Sequence, residues 1–165
     1  MVSLSLEVDL KLLILVAAAN SAPQVMRWAS RDRAFRAIDA GIALADGRPL
    51  FGPSKTWVGL IAGILASSLA APLLSMSVDV GLHAGIAAMA GDMLTSFLKR
   101  RLGIGSSMPA PGLDQFAETA LPLLVLRGLL PFSWLDLFAV LLVFVFGELV
   151  LAKLLHRFGL RDRPT

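Results

Sequence analysis

Apolar positions along this chain do not recur at the spacing of a helix with one wet face; they run together. Five stretches, about 10–28, 57–77, 79–98, 115–132 and 134–156, are apolar almost throughout. A helix needs roughly 20 such residues to cross the hydrocarbon of a bilayer. The pattern predicts an all-α integral membrane protein with five transmembrane helices. Asn20, Ser21 and Pro23 interrupt the first stretch and predict a kinked or opened cytosolic half there. Residues 1–165 read as a single membrane domain with two polar connections, about 29–56 and 99–114, long enough to hold a site. The other connections only turn the chain.

Composition sharpens this. Hydrophobic residues make up 56% and charged residues 16% of the chain, against about 25% charged in an ordinary soluble domain. Mean hydropathy is +0.76. A soluble enzyme, a disordered chain and a secreted disulfide scaffold are excluded. With no cysteine there is no thiolate nucleophile and no Cys-ligated metal. A net charge of +3 would suggest nucleic acid for a soluble protein. Here the basic residues flank apolar spans, so topology accounts for them and no nucleic-acid partner is expected.

Lys and Arg counts set the orientation. Arg27, Arg31, Arg33, Arg36, Arg48 and Lys55 follow the first span; Lys99, Arg100 and Arg101 follow the third; Lys153, Arg157, Arg161 and Arg163 close the chain. These 13 of 15 cations fall on one side if there are five spans, with Lys11 and Arg127 the exceptions. The positive-inside rule then puts the N-terminus out and the C-terminus in the cytosol of a multi-pass cell-membrane protein. Trp28, Trp57 and Trp134 fall at span ends, as interfacial anchors do. Glu7 and Asp9 stand where a signal peptide needs positive charge, so the start reads as a mature N-terminus.

Asp92 most needs explaining, because a carboxylate inside a span costs about 2.5–3.5 kcal/mol on insertion scales. At 100° per residue Ser96 and Lys99 share its helix face, with Arg100 at the edge. Asp92 lies about 10 Å below the basic cytosolic end. Such a face suits a divalent metal at Asp92 and substrate phosphates at Lys99 and Arg100. The alternative is an internal ion pair and a plain topology signal. Asp114 and Glu118 follow at i, i+4 spacing, and a second carboxylate near Asp92 would make a hard-oxygen site of the kind Mg²⁺ prefers. Asp114 also fits a helix N-cap. In the first connection, Gly52-Pro53-Ser54-Lys55-Thr56 enters a helix; Lys55 with Ser54 and Thr56 is a phosphate candidate there, or a cap for span two. His83 reads as structural, His156 as a second phosphate candidate, and Glu148 as needing a partner; neither Glu148 nor Asp136 has a neighbour that gives it a role. Small residues, Gly59, Gly63, Ala66, Gly85, Ala88 and Gly91, read as close helix packing.

Assembled, these segments resemble the CDP-archaeol synthase family, short relatives of the phosphatidate cytidylyltransferases. The resemblance rests on Ala19-Asn20-Ser21-Ala22-Pro23; on Asp46-Gly47-Arg48 with Phe51-Gly52 and Lys55-Thr56-Trp57; on Gly91-Asp92 with Ser96, Lys99-Arg100-Arg101 and Gly103, followed by Pro109, Pro111 and Leu113-Asp114-Gln115; and on His156 with Gly159-Leu160 and Pro164. It implies a five-span, Mg²⁺-dependent enzyme that transfers CMP from CTP to a lipid phosphate, giving a CDP-lipid and pyrophosphate. The family's acceptor is an unsaturated archaeal ether lipid phosphate. By position, Asp92 and Asp114 would be metal ligands, Lys99 and Arg100 would contact phosphates, Ser96 would support them, and Lys55 and Asn20 would line the substrate region. Where the family pattern has a second Asp, this chain has Ala117 beside Glu118, which makes Glu118 the third metal candidate. Ser54 stands where the pattern has Gly. The rival readings are a non-catalytic lipid- or nucleotide-binding descendant and a small transporter; assembly as a homodimer stays open.

Overall fold

The computed structural model describes residues 5–30, 35–106, 108, 110 and 112–157, without the side chains of 152, 155 and 156. Five helices follow in order: α1 Leu6–Ala29, α2 Trp57–Leu73, α3 Val78–Arg101, α4 Leu113–Arg127 and α5 Trp134–Arg157. By length and composition α1 and α5 can each cross a membrane, and α2 is a shorter apolar helix. At 1.5 Å per residue the 24-residue α3 is about 36 Å long and the 15-residue α4 about 22 Å.

α1 contacts all four other helices, α3 packs between α2 and α4, and α5 lies against α4 and α1. Bulky residues fill one half of the bundle: Leu12 and Leu15 of α1 meet Leu123 and Leu126 of α4 and Leu137, Val140 and Leu141 of α5. Around Ala19, Ala88 and Met89 the helices close on small residues instead. A Cβ at Gly63 would come within 2.8 Å of the Ala19 carbonyl, and one at Gly91 within 2.8 Å of the Ala117 main-chain carbon. The backbones touch there, which is how helices associate where lipid removes the hydrophobic drive.

The structure corrects three expectations. α1 is helical without interruption through Asn20, Ser21 and Pro23, so the half expected to be kinked or opened does not open. Pro23 leaves the Ala19 carbonyl without its helical donor, and Gly63 and Gly59 of α2 pack against Ala19 and Pro23, so the helix is held by its neighbour. α2 ends at Leu73, not 77, because Pro72 is followed by a turn with Ser75 at φ +59°; Ser77 then caps α3 by accepting the Val80 N–H at 3.3 Å. α4 ends at Arg127, not 132: Gly128 closes the helix although Leu129 and Leu130 remain apolar.

Both exceptions in the cation count have local partners. Lys11 pairs with Glu7 one turn back at 2.6 Å. The Arg127 guanidinium lies over the Trp134 ring, 4.6 Å from its centroid, and donates to the Phe132 carbonyl. Trp28, Trp57 and Trp134 are all exposed at helix ends. His83 sits against the Asp79 carbonyl at 2.8 Å, a structural contact. Asp136 joins two helix starts: it accepts from the Ser133 N–H and hydroxyl, each at 2.7 Å, and from the Ser5 N–H at 3.1 Å. Arg31, Arg33, Pro109, Pro111, Gly159, Leu160, Arg161, Arg163, Pro164 and the His156 side chain lie outside the described residues.

Candidate active site

The first polar connection is a paired excursion. Ile38 N–H donates to the Lys55 carbonyl and Leu50 N–H to the Ile42 carbonyl, each at 2.9 Å, and the tip turns at Asp46-Gly47. A reciprocal clasp docks this tip on the end of α3. Arg48 donates to the last-turn carbonyls of Arg100 and Arg101. Arg101 reaches back to Asp46 at 2.6 Å and to the Pro49 carbonyl at 2.6 Å, and its guanidinium lies 5.3 Å from the centre of the Phe97 ring. Burial pushes the Asp46 carboxyl up, but the Arg48 N–H and the charge and hydrogen bond of Arg101 outweigh it and hold it below the ordinary aspartate range.

Docked in this way, the excursion delivers Lys55 to α3, where its ammonium pairs with Asp92. Thr56 is spent differently: its hydroxyl caps α2 by accepting the Gly59 N–H at 3.1 Å. Glu118 of α4 brings its carboxyl within hydrogen-bonding reach of Asp92, with Lys55 and Glu148 in electrostatic range. Asn20 of α1 donates to the Glu118 carbonyl at 3.4 Å, and its buried Oδ1 has no hydrogen-bond partner among the described residues. Ser96 is buried one turn above Asp92 on the same helix.

A second pair forms nearer the end of α3. Lys99, only 8% exposed, contacts Asp114 at 2.8 Å and donates to the Met108 carbonyl at 3.1 Å. Asp114 also accepts the Ala110 N–H at 3.0 Å, and Gln115 accepts the Gly112 N–H at 2.8 Å, so the start of α4 is tied down. The N-cap position itself is Gly112, not Asp114. Arg100 is 4% exposed; its Nη2 donates to the Gly105 carbonyl at 2.8 Å, and its Nε and Nη1 find no hydrogen-bond partner among the described residues. Ser106 bridges the two connections by donating to the Ser54 hydroxyl at 3.1 Å.

The sequence-selected residues are therefore together, in two tiers. Lys55, Asp92, Glu118 and Asn20 form the deeper tier; Lys99, Asp114 and Arg100 form the upper one. The neighbour of Asp92 is Glu118, while Asp114 is engaged by Lys99. Asp39 was missed by sequence reasoning: it is buried, binds the turn before Lys55 through the Phe51 and Gly52 N–H groups, and accepts the Gly41 N–H of its own turn. A lone Asp in a polar loop has no spacing that marks it.

The donor set suits Mg²⁺. Among the described residues no three Asp, Glu or His side chains gather closely enough to hold a metal by themselves. Mg²⁺ needs no such cage, since it is usually held by one or two carboxylates together with substrate phosphates and water. Asp92, paired with the single charge of Lys55, and Glu118 in reach of it offer the hard oxygen donors such an ion takes.

A family model for CDP-archaeol synthase matches residues 34–164, which takes in both connections and four of the five helices. The chain belongs to the CDP-archaeol synthase family. Curated CDP-archaeol synthases similar to it include those of Hyperthermus butylicus, 44% identical over 59% of this chain and 59% of that protein, and Aeropyrum pernix, 48% identical over 48% and 49%. The match to these relatives spans about half to three-fifths of their length. The CDP-archaeol synthase of Methanosphaerula palustris is 37% identical over 77% of this chain and 88% of its own. A solved structure of an intramembrane enzyme for archaeal membrane lipids biosynthesis superposes with a TM-score of 0.76 at 32% identity, covering 86% of this chain and 90% of that one. The five-helix arrangement of this CDP-archaeol synthase family member is thus that of a solved intramembrane enzyme.

Proposed function

We propose that this chain is a CTP-dependent cytidylyltransferase that moves CMP onto a membrane lipid phosphate of the archaetidate type, releasing pyrophosphate. The observation that carries the reading is the deeper tier: the Lys55–Asp92 ion pair, with the Glu118 carboxyl in reach of Asp92, inside the helices of a member of this family. The chain would cross the membrane five times, the shorter α2 and α4 completing their crossings with the apolar residues that follow them, with the N-terminus out and both polar connections and the C-terminus in the cytosol. That orientation keeps 13 of 15 cations on one side, as the positive-inside rule requires.

The reaction joins two anions. A lipid-phosphate oxygen bonds to the α-phosphorus of CTP while the bond from that phosphorus to the bridging oxygen breaks, and pyrophosphate leaves with the electron pair. Asp92 and Glu118 would hold Mg²⁺, with Asp114, paired to Lys99 nearer the end of α3, as the further carboxylate candidate. Bound there, the ion supplies charge neutralisation at the phosphate oxygens. Lys55 and Lys99 turn from their carboxylate partners toward phosphate, and Arg100 adds fixed positive charge beneath the second connection. Asn20, whose buried oxygen has no hydrogen-bond partner among the described residues, would orient a donor group of the substrate. No covalent enzyme intermediate is needed.

The test is incubation of purified protein with labelled CTP, Mg²⁺ and a panel of lipid phosphates differing in chain and linkage. Labelled CDP-lipid with equimolar pyrophosphate is expected, most of it from the isoprenoid ether acceptor. Absence of CDP-lipid from every acceptor overturns the reading.

A further inference from the structure

Asp39 is 4% exposed in the first connection, and both of its carboxylate oxygens are used. Oδ1 accepts the Gly41 N–H at 3.1 Å; Oδ2 accepts those of Phe51 at 2.9 Å and Gly52 at 2.7 Å. The main chain of Lys55 is then tied to the same unit from both sides. Its N–H donates to the Gly52 carbonyl at 3.2 Å, and its carbonyl accepts from Ile38, the residue before Asp39, at 2.9 Å.

The unit is built tightly. Ala40 is held at φ +48°, a left-handed conformation that a residue with a Cβ rarely adopts. Gly52 stands at φ +94°, and a Cβ there would come within 3.0 Å of Ser106 Oγ and 3.3 Å of Arg100 Nη1. The turn is therefore seated against the second connection, with Lys55 pointed at Asp92. Only a carboxylate accepts all three N–H groups; an Asn would set its own NH₂ against at least one of them.

We propose that Asp39 is a positioning residue for the transfer reaction, acting through Lys55: it fixes the turn that holds the Lys55 ammonium on Asp92. This rests on the role given to Lys55 above, and the test separates the two claims. The full chain in detergent is treated with an amine-acylating reagent, and labelling at Lys11, Lys55, Lys99 and Lys153 is followed by mass spectrometry. Asp39→Asn is expected to raise the Lys55 rate about tenfold while Lys99 stays protected, and to lower kcat about tenfold with KM for CTP changed less than about twofold. In a Lys55→Gln background the same substitution costs no further kcat. Unchanged Lys55 labelling, a parallel rise at Lys55 and Lys99, or additive kcat losses would each overturn the proposal. Should Asp39→Asn not fold, Asp39→Glu, which moves the carboxylate by one methylene, takes its place in the same comparison. If the unsubstituted protein forms no CDP-lipid, the proposed activity fails, and labelling alone still decides whether Asp39 sets Lys55.

Discussion

Lys55, from a loop, and Asp92, from the middle of a helix, form an ion pair that bridges the first polar connection and α3. The pair makes the loop part of the deeper tier, and it sets the sign expected of each substitution. Asp92→Asn removes the proposed metal ligand and strands Lys55, so transfer should fall at least about 100-fold. Lys55→Gln should also lose most activity, and the double substitution should lose less than the product of the two. CDP-lipid formation measures this, with melting in detergent as the check on folding. Near-normal transfer by Asp92→Asn would remove the metal role.

Glu118 is the carboxyl beside Asp92, so it should set metal affinity. Glu118→Gln is expected to raise the Mg²⁺ concentration for half-maximal rate about tenfold or more. Ala117→Asp, which places another acid next to it, should be tolerated or should raise the rate. A Mg²⁺ titration of both variants tests this, and loss of transfer in Ala117→Asp would refute the placement of this turn of α4.

Gly91 has main chain in front of it. A methyl there meets the Ala117 carbonyl carbon at 2.8 Å and Glu118 Cα at 3.1 Å, neither of which can swing aside. Gly91→Ala should therefore destabilise the protein by about 1–3 kcal/mol, seen as a lower melting temperature. Gly47→Ala has nothing within 4 Å of its new methyl and bears only the cost of its φ of +72°, so its loss should be smaller.

Burial pushes the Asp39 carboxyl up, but the N–H groups of Gly52, Phe51 and Gly41 outweigh it and hold its pKa below the ordinary aspartate value of 3.8. Stability from this group is therefore complete well above pH 3.8 and is lost as pH falls from there through the folded value. Melting temperatures of the parent should drop more steeply than those of Asp39→Asn over this acid range. Equal slopes would contradict the assignment.

What the sequence made legible was whatever has a length or a period. Long apolar runs gave the helices, and the i, i+4 and i, i+7 spacings put Asp92, Ser96 and Lys99 on one face of α3, whereas Asp114 and Glu118, also i, i+4, are taken up by different neighbours. Helix ends were less legible, since Leu129 and Leu130 are apolar whether or not Gly128 stops α4. Partner choice was not legible. Asp92 meets Lys55 across 37 positions, and Arg101 meets Asp46 across 55. Both meetings follow from how the first connection folds back on α3, and that depends on Asp39, which carries no pattern of its own.

The contact of Gly91 with Ala117 and Glu118 joins α3 and α4 main chain to main chain, one residue from Asp92. The two acids are therefore carried on helix axes that already touch, and any change that widened their separation at the main chain would have to move α3 against α4 as whole rods.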